Sequence, residues 1–234
     1  MRLICGADGC RKGWIAISKD LDSGQISWHL HQSASKLFYK EPLPQVIAID
    51  IPIGLPDHGS RTCDLQARQL LGAGRASSVF PVPLRLVLSA KSYEEACRIR
   101  FDIERKKISL QSWGILPKII DVDSLLRQDT QLQERVWEIH PEVCFYFLAG
   151  QRPLRYSKKD KFGYDERFSL LLPFFGDWLK AVLSERQELG STPDDVLDAF
   201  VALWTAERIA NGNHHIITSD PPKDTLGLPM RMVA

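Results

Sequence analysis

Four aspartates stand where an acid is costly. Asp8 follows the apolar run Leu3-Ile4-Cys5-Gly6-Ala7 and precedes Gly9. Asp50 ends a second apolar run, Val46-Ile47-Ala48-Ile49, and leads into Ile51-Pro52. Asp195 and Asp198 open the apolar helical pattern that runs on through Trp204. A carboxylate inside or at the tip of a buried element is unfavourable unless positive charge pairs with it. Three such places, distant in sequence, point to one shared cation, and oxygen ligands select Mg²⁺ or Mn²⁺.

Each acid also has a structural reading. Asp8 can open the turn that leads to Gly13, and Asp50 can cap the stiff segment Ile51-Pro52-Ile53-Gly54-Leu55-Pro56. Asp195 completes Thr192-x-x-Asp195, close to a capping box, where an acid also suits the helix dipole. Asp198 lies a full turn inside the helix and lacks that explanation. It shares a helix face with Asp195, Ala202 and Thr205, opposite Leu197, Val201 and Trp204. Glu138 is either a further ligand or a supporting group. Glu142, after Pro141, suits capping of the next segment, and His140 suits proton transfer.

Cations near these acids would serve an anionic substrate. Arg11 and Lys12 follow Asp8, and Gly9 would let a phosphate approach the backbone. Arg75, with Ser77 and Ser78, suits a phosphate, as do Lys158 and its neighbours Lys159 and Lys161. Arg98-Ile99-Arg100 to Arg105-Lys106-Lys107 reads as an exposed helix face. No GxxxxGK[ST], HExxH, GxSxG or paired-cysteine zinc spacing occurs, and Gly72-Ala73-Gly74 follows a helical pattern rather than a strand.

The chain has 234 residues, 44% hydrophobic and 25% charged, enough for one sizeable core. A net charge of +1 gives no global field for nucleic acid, so any grip must be local. Five cysteines without a CxxC pair predict no disulfide framework and a reducing cytoplasm. The charged start does not read as a signal peptide, and no long apolar run would span a membrane.

Turn signals at 9–13 and 22–24 predict a meander of three strands at 3–8, 14–18 and 25–30. A short helix over 33–40 precedes a strand over 45–50, whose unbroken hydrophobicity predicts burial on both faces. Helices are expected over 61–71, stopped by Gly72, then over 92–107 and 118–129. A fifth strand over 135–140 is stopped by Pro141. A helix over 165–188 breaks near Pro173 and Gly176. Residues 193–211 form the best-marked helix, with Thr192 as cap, Pro193 at its first position and Gly212 beyond its end. A final strand at 228–233 completes the pattern. Residues 73–134 read as a helical insertion within one domain spanning 1–234.

This order resembles the ribonuclease H-like α/β fold, a mixed sheet of three antiparallel meander strands plus two parallel strands, flanked by helices. Asp8-Gly9, Asp50 and Asp195-Val196-Leu197-Asp198-Ala199 resemble the acidic positions of its Holliday-junction resolvase branch. The whole chain is similar to a family of predicted nucleases of that fold. The matching stretches are Gly6 to Trp14, Ile49 to Pro56, Arg75 to Pro81, Glu138 to Phe145 and Ser157-Lys158-Lys159. Asp160-Lys161 departs from the small or hydroxyl residue expected there. The resemblance implies a divalent-metal-dependent nuclease acting on DNA or RNA. Asp8, Asp50, Asp195 and Asp198 would hold one or two ions, with Glu138 alongside, and Arg11, Lys12, Arg75, Ser78 and Lys158 would bind substrate. Two other classes remain open: a nucleotide-dependent phosphotransferase of the sugar-kinase and actin type, and a non-catalytic nucleic-acid-binding module.

Overall fold

A computed structural model describes residues 1–234. Strands β1 (Leu3–Cys10), β2 (Gly13–Asp20) and β3 (Ile26–His31) form an antiparallel meander. After the short helix α1 (Ala34–Phe38), β4 (Val46–Ile49) joins β1 in parallel, and β5 (Val136–Glu138) joins β4 in parallel. The sheet order is β3-β2-β1-β4-β5. Between β4 and β5 lie α2 (Thr62–Arg75), two 3-10 turns (Ala76–Ser78 and Arg85–Ser89), α3 (Tyr93–Glu104), α4 (Leu110–Gln128) and α5 (Thr130–Arg135). The chain then adds α6 (Pro141–Leu148), α7 (Lys161–Glu185) and α8 (Pro193–Ala210). The α/β class and the three-plus-two strand arrangement match the expectation.

Strand alternation divides the core in two. Ile4, Ile15, Ile17, Val46 and Ala48 pack with α8, α7, α6 and α2. Cys5, Ala7, Ala16, Ile47 and Ile49 face the other way, against α1 and Ile119, Val122 and Leu126 of α4. The segment 73–134, expected as an insertion, thus supplies the helix that covers the second face of the sheet. Gly6 lets α8 lie directly on β1: a Cβ there would overlap the Leu203 amide nitrogen and come within 2.5 Å of the Ala199 carbonyl oxygen.

Several expectations are corrected. Helix α8 is buried nearly all round, Leu197 and Val201 as fully as Asp198, Ala202 and Thr205, because sheet and helices enclose it. The fifth strand does end before Pro141, but it is shorter than expected, and Pro141 also opens the unforeseen α6; proline suits a first helical turn, whose amide needs no partner. Helix α4 starts at Leu110, eight residues before the expected 118, because the Ser109 hydroxyl accepts from the Ser112 amide at 3.0 Å and caps it, and Pro117 is carried inside. The 228–233 strand is reduced to single bridges, Val233 pairing with Ile139 and with Ile216. Gly176 does break α7, adopting φ 49°. No helix is long and apolar enough to cross a membrane.

Candidate active site

Parallel pairing puts the ends of β1, β4 and β5 at one edge of the sheet. Ala7 pairs with Ile49, and the Asp50 amide still donates to the Ala7 carbonyl at 3.1 Å, so Asp8 and Asp50 lie side by side where the β1–β4 pairing ends. Both share the face of Gly6 and Ala48, the face that α8 covers. The close seating of α8 over Gly6 brings Asp198, one residue before Ala199, within electrostatic reach of the same carboxylates. Acids far apart in sequence thereby come close enough for each to feel the others' charge.

Asp8 is 7% exposed and Asp198 2%. Burial raises the Asp8 carboxyl well above its usual range, and the Asp50, Asp198 and Asp195 carboxylates add repulsion. Burial also raises Asp50, whose side chain reaches Asp8; His140 and Lys158 pull it back. Asp198 is pushed up to about 7 by burial, although the Lys158 ammonium sits 2.9 Å from its Oδ2. Its Oδ1 has no partner. Lys158 comes from the loop between α6 and α7, and the Asp198 carboxylate raises its ammonium above the ordinary value, with Asp8 and Asp50 adding to the pull. As they stand, no three His, Cys, Asp or Glu side chains are arranged to hold an ion.

Beside this centre opens a polar cleft of ≈ 330 Å³. Asp50, His140, Glu142 and Lys158 line it together with Arg75, Ser77 and Ser78. The Ser78 hydroxyl donates to the Arg75 carbonyl at 2.8 Å, and Arg75 Nε donates to Leu154 at 3.0 Å, which fixes that stretch. His140 Nε2 lies 3.3 Å from the Ser78 carbonyl, while its Nδ1 is unpartnered.

The remaining candidates fall elsewhere. Asp195 adds its charge to the centre, but its Oδ2 accepts from the Thr192 amide at 2.7 Å while its own amide donates to Thr192 Oγ1, so it closes the capping box of α8. Glu138 shares the face of Val136, opposite Asp8 and Asp50. There it pairs with Arg61 at 2.6 Å and accepts from the Ile53 amide, also at 2.6 Å; Asp64 holds Arg61 from the other side at 2.7 Å. Burial pushes Glu138 up to about 7, and Arg61 and the Ile53 amide draw it down. Arg11 and Lys12 form the exposed tip of the β1–β2 hairpin and do not line the cleft. The free side of Gly9 faces Lys118, whose Cε would lie 3.1 Å from a Cβ there and whose ammonium donates to the Cys10 carbonyl.

Two groups escaped the sequence reading. Arg167, 1% exposed, pairs with Glu142 and donates to the Gly163 carbonyl at 2.9 Å. It ties α6 to the start of α7 and so steadies the loop that carries Lys158. Arg61 escaped because its partner Glu138 is 77 residues away. Since Glu138 is a structural group, Glu138→Gln should lower stability by about 2 kcal/mol, the value of a hydrogen bond to a charged group, without altering the carboxylate centre. Chemical denaturation would check the cost, and an unchanged midpoint would contradict the buried pair.

A family model matches residues 6–223. The chain belongs to the family described as "Protein of unknown function (DUF429)". No curated protein and no solved structure matches it. The DUF429 match includes Asp8, Asp50, Lys158 and Asp198, so the whole centre lies within the family's extent.

Proposed function

We propose that the chain is a divalent-metal-dependent nuclease that hydrolyses phosphodiester bonds of DNA or RNA. The observation that carries this reading is the mutual approach of Asp8, Asp50 and Asp198 on one face at the sheet edge, beside a polar cleft that includes Arg75 and Lys158. Strand order and the origin of the acids also support it, since both accord with the ribonuclease H-like arrangement expected from the sequence. That likeness of fold alone does not identify a reaction.

The donor set fits a hard cation. Asp50 and Asp198 raise the Asp8 carboxyl, Asp50 raises that of Asp198, Asp198 Oδ1 lacks a partner, and the Lys158 ammonium, with His140 beside Asp50, is what offsets them. Asp8, Asp50 and Asp198 would hold Mg²⁺ or Mn²⁺, with Asp195 close by. Such an ion supplies an activated water and charge stabilisation at the scissile phosphate. Lys158 exchanges its contact with Asp198 for one with the phosphate; its side chain is 46% exposed and can swing. Arg75 and Lys158 then stabilise charge that develops on the phosphate oxygens. His140, whose charge offsets that of Asp50, would steady the acids beside the cleft.

Purified protein incubated with single- and double-stranded DNA and RNA in Mg²⁺ or Mn²⁺ tests the proposal. Cleavage of at least one form, abolished by EDTA, is expected. No cleavage of any form, with a melting temperature raised by ATP, would favour the phosphotransferase reading. Substrate grip is local, so log affinity against log salt should have a slope of about −2 to −4, and Lys158→Ala should reduce its magnitude by about 1. Salt-independent binding would show that phosphate is not the group recognised.

A further inference from the structure

Two arginines are held by tryptophans without using their hydrogen-bond donors. The Arg231 guanidinium lies 3.7 Å from the centroid of the Trp137 ring, and that of Arg208 lies 4.6 Å from Trp204. The other half-buried arginines, Arg68, Arg75, Arg85, Arg135 and Arg186, each donate to a carbonyl or a carboxylate. Arg208 and Arg231 make no hydrogen bond and no ion pair, and Arg208 Nε is buried without a partner. A guanidinium stacked on an indole keeps its planar fork of N–H groups free. Two histidines join them. His214 stands edge-on to Trp137, ring centroids 5.3 Å apart, with its Nδ1 unpartnered, and His215 stacks on Phe147 at 4.4 Å. Trp137 pairs with Ala48 across β4 and β5, so this patch lies on the face that α8 covers, the face of Asp8 and Asp50.

No Asp or Glu side chain offsets this charge. Burial lowers the His214 imidazole below its ordinary value, and Arg231, Arg208 and His215 lower it further. Burial lowers Arg231 and Arg208 as well, with only the Cys144 thiol pulling Arg208 back. Glu207, the neighbour of Arg208 in the chain, is paired with Lys19 at 2.7 Å. Partly desolvated cations with free N–H groups and no counter-charge are unfavourable alone and are relieved by an anion rich in oxygen acceptors. The charge is spread rather than enclosed: Arg208 borders one cavity, of ≈ 220 Å³, and Arg231 another, of ≈ 10 Å³. Such a spread suits a row of phosphates better than one small ion. Arg208 follows Asp198 by ten residues of α8, about 15 Å along the helix, or about four to five steps of a duplex strand.

We infer that this patch is a second contact for the nucleic-acid substrate, gripping its phosphate backbone away from the bond held at Asp8, Asp50 and Asp198. The inference rests on the nuclease reading. Arg208 and Arg231 each take a phosphate on the free edge of the guanidinium, and His215 donates beside them. The patch positions the strand and carries no part of the hydrolysis.

Fluorescence anisotropy with labelled DNA and RNA of about 20 nucleotides, in EDTA so that nothing is cleaved, tests it. The double variant Arg208→Gln/Arg231→Gln should weaken binding by about a hundredfold, about tenfold for each charge-assisted contact, and reduce the salt slope by about 2. Arg208→Lys/Arg231→Lys keeps the charge but not the fork, so it should keep the slope and recover part of the affinity. Lys36→Gln/Lys40→Gln, beside α1 and behind the opposite sheet face, removes the same charge and should bind as the wild type does. Hydrolysis of bis(p-nitrophenyl) phosphate in Mn²⁺, a substrate too small to reach the patch, should be unchanged in the Gln double variant. The inference is overturned if that variant binds as tightly as the wild type, or if Lys36→Gln/Lys40→Gln weakens binding equally. A dimer that Arg208→Gln/Arg231→Gln converts to monomer would also overturn it, by making the patch a subunit contact. Binding that needs both arginines, in a protein that cleaves neither nucleic acid nor the small diester, supports the patch and removes the nuclease reading alone.

Discussion

Asp8→Asn should abolish metal-dependent cleavage and at the same time make the metal-free protein more stable. The two effects share one cause. Burial and three neighbouring carboxylates work against the Asp8 charge, which a bound cation would offset. Removing the charge removes the repulsion. In a chain of this size each kcal/mol recovered raises the melting temperature by about 2–4 °C. A metal's charge stabilisation is worth several kcal/mol and each ~1.4 kcal/mol is tenfold in rate, so activity should fall by about a thousandfold or more. The variant should also lose the stabilisation that Mn²⁺ gives the wild type. A variant that melts lower and still cleaves would remove Asp8 from the centre.

The same groups set a pH dependence. Asp8, Asp50 and Asp198 are all raised in the folded chain, Asp198 to about 7. In the unfolded chain they ionise near about 3.9. Between these limits the folded state holds more protons, so stability is highest below the window and falls as pH rises through it. The metal-free protein should melt higher at mildly acid pH than above neutrality, and Asp8→Asn should flatten that slope.

The second large effect comes from the glycine beneath α8. Gly6→Ala places a methyl group on the Leu203 amide and the Ala199 carbonyl, backbone atoms that cannot rotate away. Either α8 lifts from β1 or the strand bends. Overpacking of this kind costs about 3 kcal/mol, a fall of about 6–12 °C in melting temperature. Because α8 carries Asp198, the folded fraction should lose activity as well. Gly114→Ala is the control: nothing lies within 4 Å of its added methyl group, so stability should be unchanged or higher. Equal melting of the Gly6→Ala and wild-type proteins would mean that α8 does not rest on the β1 backbone.

The acids that meet are those whose apolar context left them no other partner. Asp8 and Asp50 end runs that must be buried strands, and Asp198 lies inside a helix with clear caps, so local patterns were enough. Glu138 was misleading because a three-residue strand has too little alternation to show its face, and its partner Arg61 is remote. Asp195 carried two consistent local readings, and the capping box is the one its hydrogen bonds display. Arg11 and Lys12 are near Asp8 in sequence, but the hairpin turns them outward. Helix α6 was hidden because proline both ends strands and begins helices, and only the packing behind it decides which.

The central claim is that Asp8, Asp50 and Asp198 form one divalent-metal centre, and a crystal soaked in Mn²⁺ and measured at the manganese absorption edge tests it most directly. The account predicts an anomalous peak bounded by the three carboxylates, with oxygen distances of roughly 2.0–2.2 Å and Lys158 displaced from Asp198. A well-ordered crystal with no peak there, and Lys158 still seated on Asp198, would contradict it.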